Sequence, residues 1–129
     1  MITAEAYQDI QILQDSDFKN TVSFDSTHSM TNKTFKGYIA KDYSGTAFTG
    51  PKLDSNTWSS ASVTRVPLTI TTSGNSVTLT LPAEATTFFQ DGWEGVWDLL
   101  EKDTDEVSYA RQLQGDVVVS NSISKVGDF

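Results

Sequence analysis

The chain has 129 residues, 17 Asp and Glu against 9 Lys and Arg, a net charge of −8 and no cysteine. One domain of this size can hold a core without staples, and the missing cysteines exclude a disulfide framework and a thiolate metal site. The acidity opposes binding to nucleic acid or to an anionic membrane surface, where Lys and Arg must meet phosphate, and no stretch reaches the ~18 apolar residues of a membrane-spanning helix.

The start, Met1-Ile2-Thr3-Ala4-Glu5, has neither the basic nor the apolar region of a signal peptide, so synthesis as a soluble product of the cytoplasm is expected. Thr and Ser are abundant, and no long segment carries apolar residues at helical spacing. The pattern is all-β. Ile10 and Ile12 alternate with Gln11 and Leu13 in a first strand. Gln14 to Asp17 is a turn, and Phe18, Val22 and Phe24 mark one face of a second strand. Residues 25–33 read as a polar loop. Phe35, Gly37, Ile39 and Lys41 share a face of the third strand, with Lys36, Tyr38 and Ala40 opposite.

Residues 44–60 read as a long central loop, punctuated by Gly45, Gly50, Pro51 and Asn56, or as an irregular edge strand. Its anchors, Phe48, Leu53 and Trp58, are the candidate interface residues. Val66, Leu68 and Ile70 alternate in the next strand, and Thr72 to Asn75 is a tight turn leading to the return strand of Val77, Leu79 and Leu81. Pro82 to Phe89 is a short helical turn that Phe88 or Phe89 must pin to a sheet. Two long strands close the chain, about 93–101 and 107–120, joined by the acidic turn Lys102-Asp103-Thr104-Asp105-Glu106. The termini, 1–6 and 121–129, are expected to be flexible. Seven or eight strands in one domain, 1–129, make a β-sandwich.

Candidates for chemistry are few. His28 stands alone in its loop, with no nucleophile elbow nearby, and reads as a solvated histidine. Asp103, Asp105 and Glu106 lack the spacing of a calcium loop, and Asp15 and Asp17 read as solvated turn residues. No catalytic residue, metal ligand or cofactor site is expected. Trp93 and Trp97 share a strand face. Exposed, they would stack on sugars as in a carbohydrate-binding module; Leu99 on the same face places them in the core. In the last strand Tyr109, Arg111, Leu113, Gly115, Val117 and Val119 share a face by simple alternation. Arg111 is odd there. It is expected to pair with Asp98 or Glu101, or to sit at the sheet edge. Gly115 marks a bulge or a crowded crossing.

The run Trp97-Asp98-Leu99, then Asp103-Thr104-Asp105, then Arg111-Gln112-Leu113-Gln114-Gly115-Asp116-Val117-Val118-Val119-Ser120 resembles a pattern in small virion proteins of tailed bacteriophages, many from cyanobacterial and marine hosts. Those proteins carry a Tyr-Asp-Leu strand, an acidic turn, an Arg-Leu pair and a Gly-x-Val-x-Val-Ser end. Gln14-Asp15-Ser16-Asp17-Phe18 resembles their Gln-Gly-Ser-Asp-Phe opening, and residues 35–41 and 82–89 fall where they have a strand and a helical turn. Here Trp97 replaces the Tyr, Gln112 separates Arg111 from Leu113, and Asp15 replaces the Gly. The resemblance implies an immunoglobulin-like sandwich, similar to the N-terminal sandwich of baseplate and tail-fibre proteins. It implies a non-enzymatic virion part located in the tail, baseplate or fibre, or a capsid decoration protein. Its partners would be tail, fibre or capsid subunits, in a homo- or hetero-oligomer, with no nucleic acid and no membrane.

Overall fold

Alternating apolar residues build two sheets that face one another across a single core. The computed structural model describes residues 6–103 and 108–129. Its first strands are β1 (Ala6–Tyr7), β2 (Ile10–Leu13), β3 (Phe18–Ser23), β4 (Lys33–Ala40), β5 (Phe48–Asp54) and β6 (Thr57–Val63). There follow β7 (Val66–Pro67), β8 (Thr69–Ser73), β9 (Ser76–Leu81), the helical turn α1 (Ala83–Thr86), β10 (Glu94–Asp103) and β11 (Ser108–Ser120). One sheet runs β1–β11–β10–β4–β7, with β2 continuing β1 along the same edge, both parallel to β11. The other runs β3–β9–β8, and β5–β6 forms a separate hairpin.

The inward registers meet between the sheets. Ile12, Phe35, Ile39, Trp97, Leu99 and Val117 of the first sheet and Phe18, Val77, Leu79 and Leu81 of the second are all buried. Each such side chain contributes about 1.5–3 kcal/mol through burial. Trp93 and Trp97 are 6% and 1% exposed, as the placement of Leu99 implied. The helical turn is shorter than residues 82–89. Asp17 Oδ1 accepts a hydrogen bond from the Ala83 backbone N–H at its start (2.8 Å), and Phe89, not Phe88, is fully buried.

Four expectations are corrected. Residues 44–60 are not a loop: β5 and β6 pair in unbroken register around Ser55 and Asn56, both at positive φ (50° and 64°). Two left-handed residues give the backbone twist of a tight two-residue hairpin turn. The strand expected over Val66, Leu68 and Ile70 is split. Val66 and Pro67 pair with β4, while Thr69–Ser73 pairs with β9, so the chain changes sheets at Leu68. Alternation survives the change because both pieces line the same core. Third, a bulge in β11 sets Leu99 opposite Leu113 but Leu100 opposite Arg111. Gln112 is the extra residue, and it turns Tyr109 and Arg111 to the outer face, away from Leu113. Fourth, His28 is not solvated: its side chain is 15% exposed and sits against Glu101.

Residues 104–106 of the acidic turn and position 107, the expected start of the last strand, lie outside the described residues, as do residues 1–5 of the N-terminal segment. The C-terminal segment is tied to the body. Asn121 Oδ1 accepts from the Gly92 N–H (2.8 Å), and Lys125 Nζ donates to Gln14 Oε1 (3.0 Å) and pairs with Asp15 Oδ2 (3.6 Å).

The edge formed by β1 and β2 is clipped to the core through Trp97. Its indole Nε1–H donates to the Gln8 carbonyl at 2.7 Å, reaching across Gly115, its partner on β11. A Cβ at position 115 would overlap that carbonyl. Gly115→Ala is therefore expected to cost about 1–3 kcal/mol of stability through overpacking. Urea denaturation measures this, and amide exchange at Gln8 and Ile10 should quicken with it.

Candidate functional site

The outer face of the larger sheet gathers aromatic and cationic side chains. β4 turns Lys36 and Tyr38 outward, β10 turns out Asp98 and Lys102, and β11, because of its bulge, turns out Tyr109 and Arg111. The segment after β4 folds back over this face. Asp42 holds it in shape by accepting from the backbone N–H of Ser44 (3.0 Å) and Thr46 (3.2 Å) and from the Thr46 hydroxyl. Those bonds, the Thr46 hydroxyl first, hold the Asp42 carboxyl below its ordinary range. The Tyr43 hydroxyl then donates to the Trp97 carbonyl (3.1 Å).

Each of three tyrosines on this face meets a cation. Arg65 lies 3.9 Å from the Tyr38 ring centroid, Arg111 5.6 Å from Tyr43, and Lys102 Nζ 5.7 Å from Tyr109. Tyr38, Tyr43, Arg65, Asp98 and Arg111 enclose a cleft of about 210 Å³. Arg65 also borders a second cleft, of about 410 Å³, beside Pro51, Leu53, Val63 and Pro67 at the hairpin. At the centre of the first cleft Asp98 Oδ2 is 3.6 Å from Arg111 Nε, the first of the pairings the sequence allowed. Burial still pushes the Asp98 carboxyl above its ordinary range, outweighing the opposing pull of Arg111 and then Arg65.

The sign of that shift fixes a prediction. A carboxyl raised in the fold is penalised when charged, so stability attributable to it is greatest at acid pH and falls as pH rises through the unfolded and then the raised folded range. Asp98→Asn is expected to unfold at a higher temperature than the parent near pH 7, with the difference shrinking toward pH 3. Calorimetry at both pH values measures it.

Phe48, Leu53 and Trp58 do not form one surface. The Phe48 ring is 4.9 Å from Trp93, which is 5.0 Å from Phe89, so Phe48 seats the base of the hairpin. Trp58 is half-buried against the core. Leu53, its cross-strand partner, is exposed (46%). Sequence reasoning missed Tyr38, Tyr43, Arg65 and Tyr109. The signal available was the outward register of β4 and β10; the bulge and the fold-back of Tyr43 hid the rest.

Where the start of β4 pairs with the end of β10 lies a polar cluster. His28 Nε2 is 2.7 Å from Glu101 Oε1, and Lys33 Nζ is 3.1 Å from Asp103 Oδ2 and 3.9 Å from Glu101 Oε2. The imidazole stacks on Phe24 (4.8 Å), and Asn75 Nδ2 donates to the carbonyls of Asp25 and His28. Among the described residues no three His, Asp or Glu converge to hold a metal, and no helix is long and apolar enough to cross a membrane. The arrangement closes the end of the core. His28→Ala leaves a buried carboxylate short of a donor and is expected to cost about 1–3 kcal/mol in chemical denaturation.

No protein-family model matches the chain, and no curated protein matches it. Among solved structures it is similar to the extracellular domain of the voltage-gated sodium channel β4 subunit, whose parallel homodimers explain its role in cell–cell adhesion. The two share 13% identity over 95% of this chain and 98% of that one, with a TM-score of 0.50. The fold is thus an immunoglobulin-like β-sandwich.

Proposed function

We propose that this chain is a non-enzymatic structural component of a bacteriophage particle, an adaptor or peripheral part of its tail, baseplate or fibre region. It is made in the host cytoplasm and ends in the virion. It works by surface complementarity, through the outer face of the larger sheet. The observation that carries the binding role is the set of three tyrosine–cation pairs on that face. Tyr and Arg are among the residues most enriched where protein partners bury against one another. The virion setting rests on the resemblance of the closing hairpin to phage structural proteins, and Asp98 and Arg111 of that hairpin lie on this same face. The similar β4 domain, a homodimer in adhesion, illustrates one such use of the fold. A sugar platform of Trp93 and Trp97 is not offered, since both rings are buried.

Mass spectrometry of purified particles of the phage encoding this chain is expected to find it, and its absence would overturn the reading. A low copy number assigns it to the tail; a copy number matching the capsid lattice assigns it to capsid decoration. The double variant Lys102→Glu, Tyr109→Ser alters two exposed side chains and is expected to leave stability within about 0.5 kcal/mol while reducing incorporation into particles.

A further inference from the structure

An exposed sheet edge is a row of unpaired backbone donors and acceptors, and proteins guard such rows with proline, charge, bulges or brevity. β1 and β7 are two residues long, β3 carries Lys19, and β5 carries Pro51 and Lys52. β6 has none of these guards. Its seven residues, Thr57-Trp58-Ser59-Ser60-Ala61-Ser62-Val63, include no charge and no proline. Its register with β5 is regular throughout, and β5 is its sole ladder partner among the described residues.

The groups that face outward follow from the turn. In a two-residue hairpin the closing pair, here Asp54 and Thr57, exchanges both backbone bonds, and every second pair beyond it does the same. Thr57, Ser59, Ala61 and Val63 thus address β5, and Trp58, Ser60 and Ser62 present their N–H and C=O groups outward. Pro51 agrees with this assignment. It stands opposite Ser60, in a pair that exchanges no bonds, where a missing N–H costs the hairpin nothing.

We propose that the outer edge of β6 joins two copies of this chain, antiparallel about a two-fold axis at Ser60, merging two hairpins into one four-stranded sheet. Trp58 then faces Ser62 of the second copy, Ser60 faces its own equivalent, and about six backbone hydrogen bonds form along the seam. Charge selects a second copy as the occupant. Copies with a net charge of −8 repel one another, and β6 is an uncharged strip on which they can meet. Continued past Val63, where β6 ends, this register brings the segment that carries Arg65 toward the other copy's hairpin tip beside Asp54, and Arg65 would exchange its place over the Tyr38 ring for that carboxylate. Both ends of the seam are therefore complementary. A parallel seam would set Asp54 against Asp54. Of the other uncharged edges, β2 is four residues long with acids on both sides (Asp9 and Asp15), and β8 is five residues long with no charged neighbour at either end.

Sedimentation velocity from low micromolar to near-millimolar protein is expected to show a weak monomer–dimer equilibrium. Ser60→Pro removes an outward N–H and leaves the bonds to β5 in place; it is expected to weaken dimerisation at least about tenfold with unchanged thermal unfolding. Asp54→Lys and Arg65→Asp should each weaken the dimer, and the double exchange should restore it, because each tip would again meet the opposite charge. A parent protein monomeric over the whole range overturns the proposal. So does a Ser60→Pro variant that dimerises like the parent, or a double exchange without recovery. The Lys102→Glu, Tyr109→Ser variant leaves this dimer intact and Ser60→Pro leaves the tyrosine–cation pairs intact, so the seam and the outer-face reading fail separately.

Discussion

The hydrogen bond from the Trp97 indole to the Gln8 carbonyl fixes how this sandwich is closed. Trp97 sits at the middle of the larger sheet and is 1% exposed. Its donor must find an acceptor inside the protein or cost about 1–3 kcal/mol. The acceptor lies two strands away, on the edge formed by β1 and β2, and becomes reachable because the intervening residue is Gly115. One buried bond therefore joins the central strand to the edge strand across a strand that yields space. The Gln8 N–H completes the clip by donating to Gln114 (2.9 Å), and Asp9 Oδ1 accepts from the Asp116 N–H (3.0 Å). The opposite side of the same strand carries the outer face: the Tyr43 hydroxyl is held by the Trp97 carbonyl. Core, edge and candidate binding face thus meet at one residue.

Electrostatics divides the surface. Lys36, Arg65, Lys102 and Arg111 concentrate near one face of a chain that carries only nine cations. Aromatic rings hold three of these cations in place, which lowers the entropy a partner must later remove. Asp98 stands among them at a net electrostatic disadvantage, its carboxyl raised by burial despite Arg111 and Arg65. On the proposed use of this face, Asp98 would orient Arg111 and disfavour an acidic partner group at that spot.

Much of the fold was legible because period-two alternation is local. β2, β3, β4, β9, β10 and β11 all fall where Ile, Phe, Val and Leu alternate with polar residues. What was hidden depends on geometry that alternation does not record. A Ser- and Thr-rich strand such as β6 has no apolar rhythm, and its turn uses Ser55 and Asn56 in a conformation usually signalled by glycine. The change of sheets at Leu68 leaves the rhythm intact. Gln112 carries no label as an extra residue, yet it inverts every outward assignment from Arg111 back to Tyr109. His28 seemed solvated because its partner, Glu101, is distant in sequence. The candidate site suffered most. Tyr38 was assigned to the correct face, but Tyr43 and Arg65 reach it from connections, and Arg111 reaches it through the bulge.

The two sides of the β5–β6 hairpin are built on opposite rules. One edge carries Pro51 and Lys52, devices that stop a sheet from growing. The other is regular and uncharged. A strand left open beside one that is closed is the arrangement expected when pairing is wanted in a single direction. It also lies apart from the Tyr and Arg face, with Arg65 at their junction. Under the two proposals the domain would bind twice at once, the second contact forming at the effective concentration set by the first.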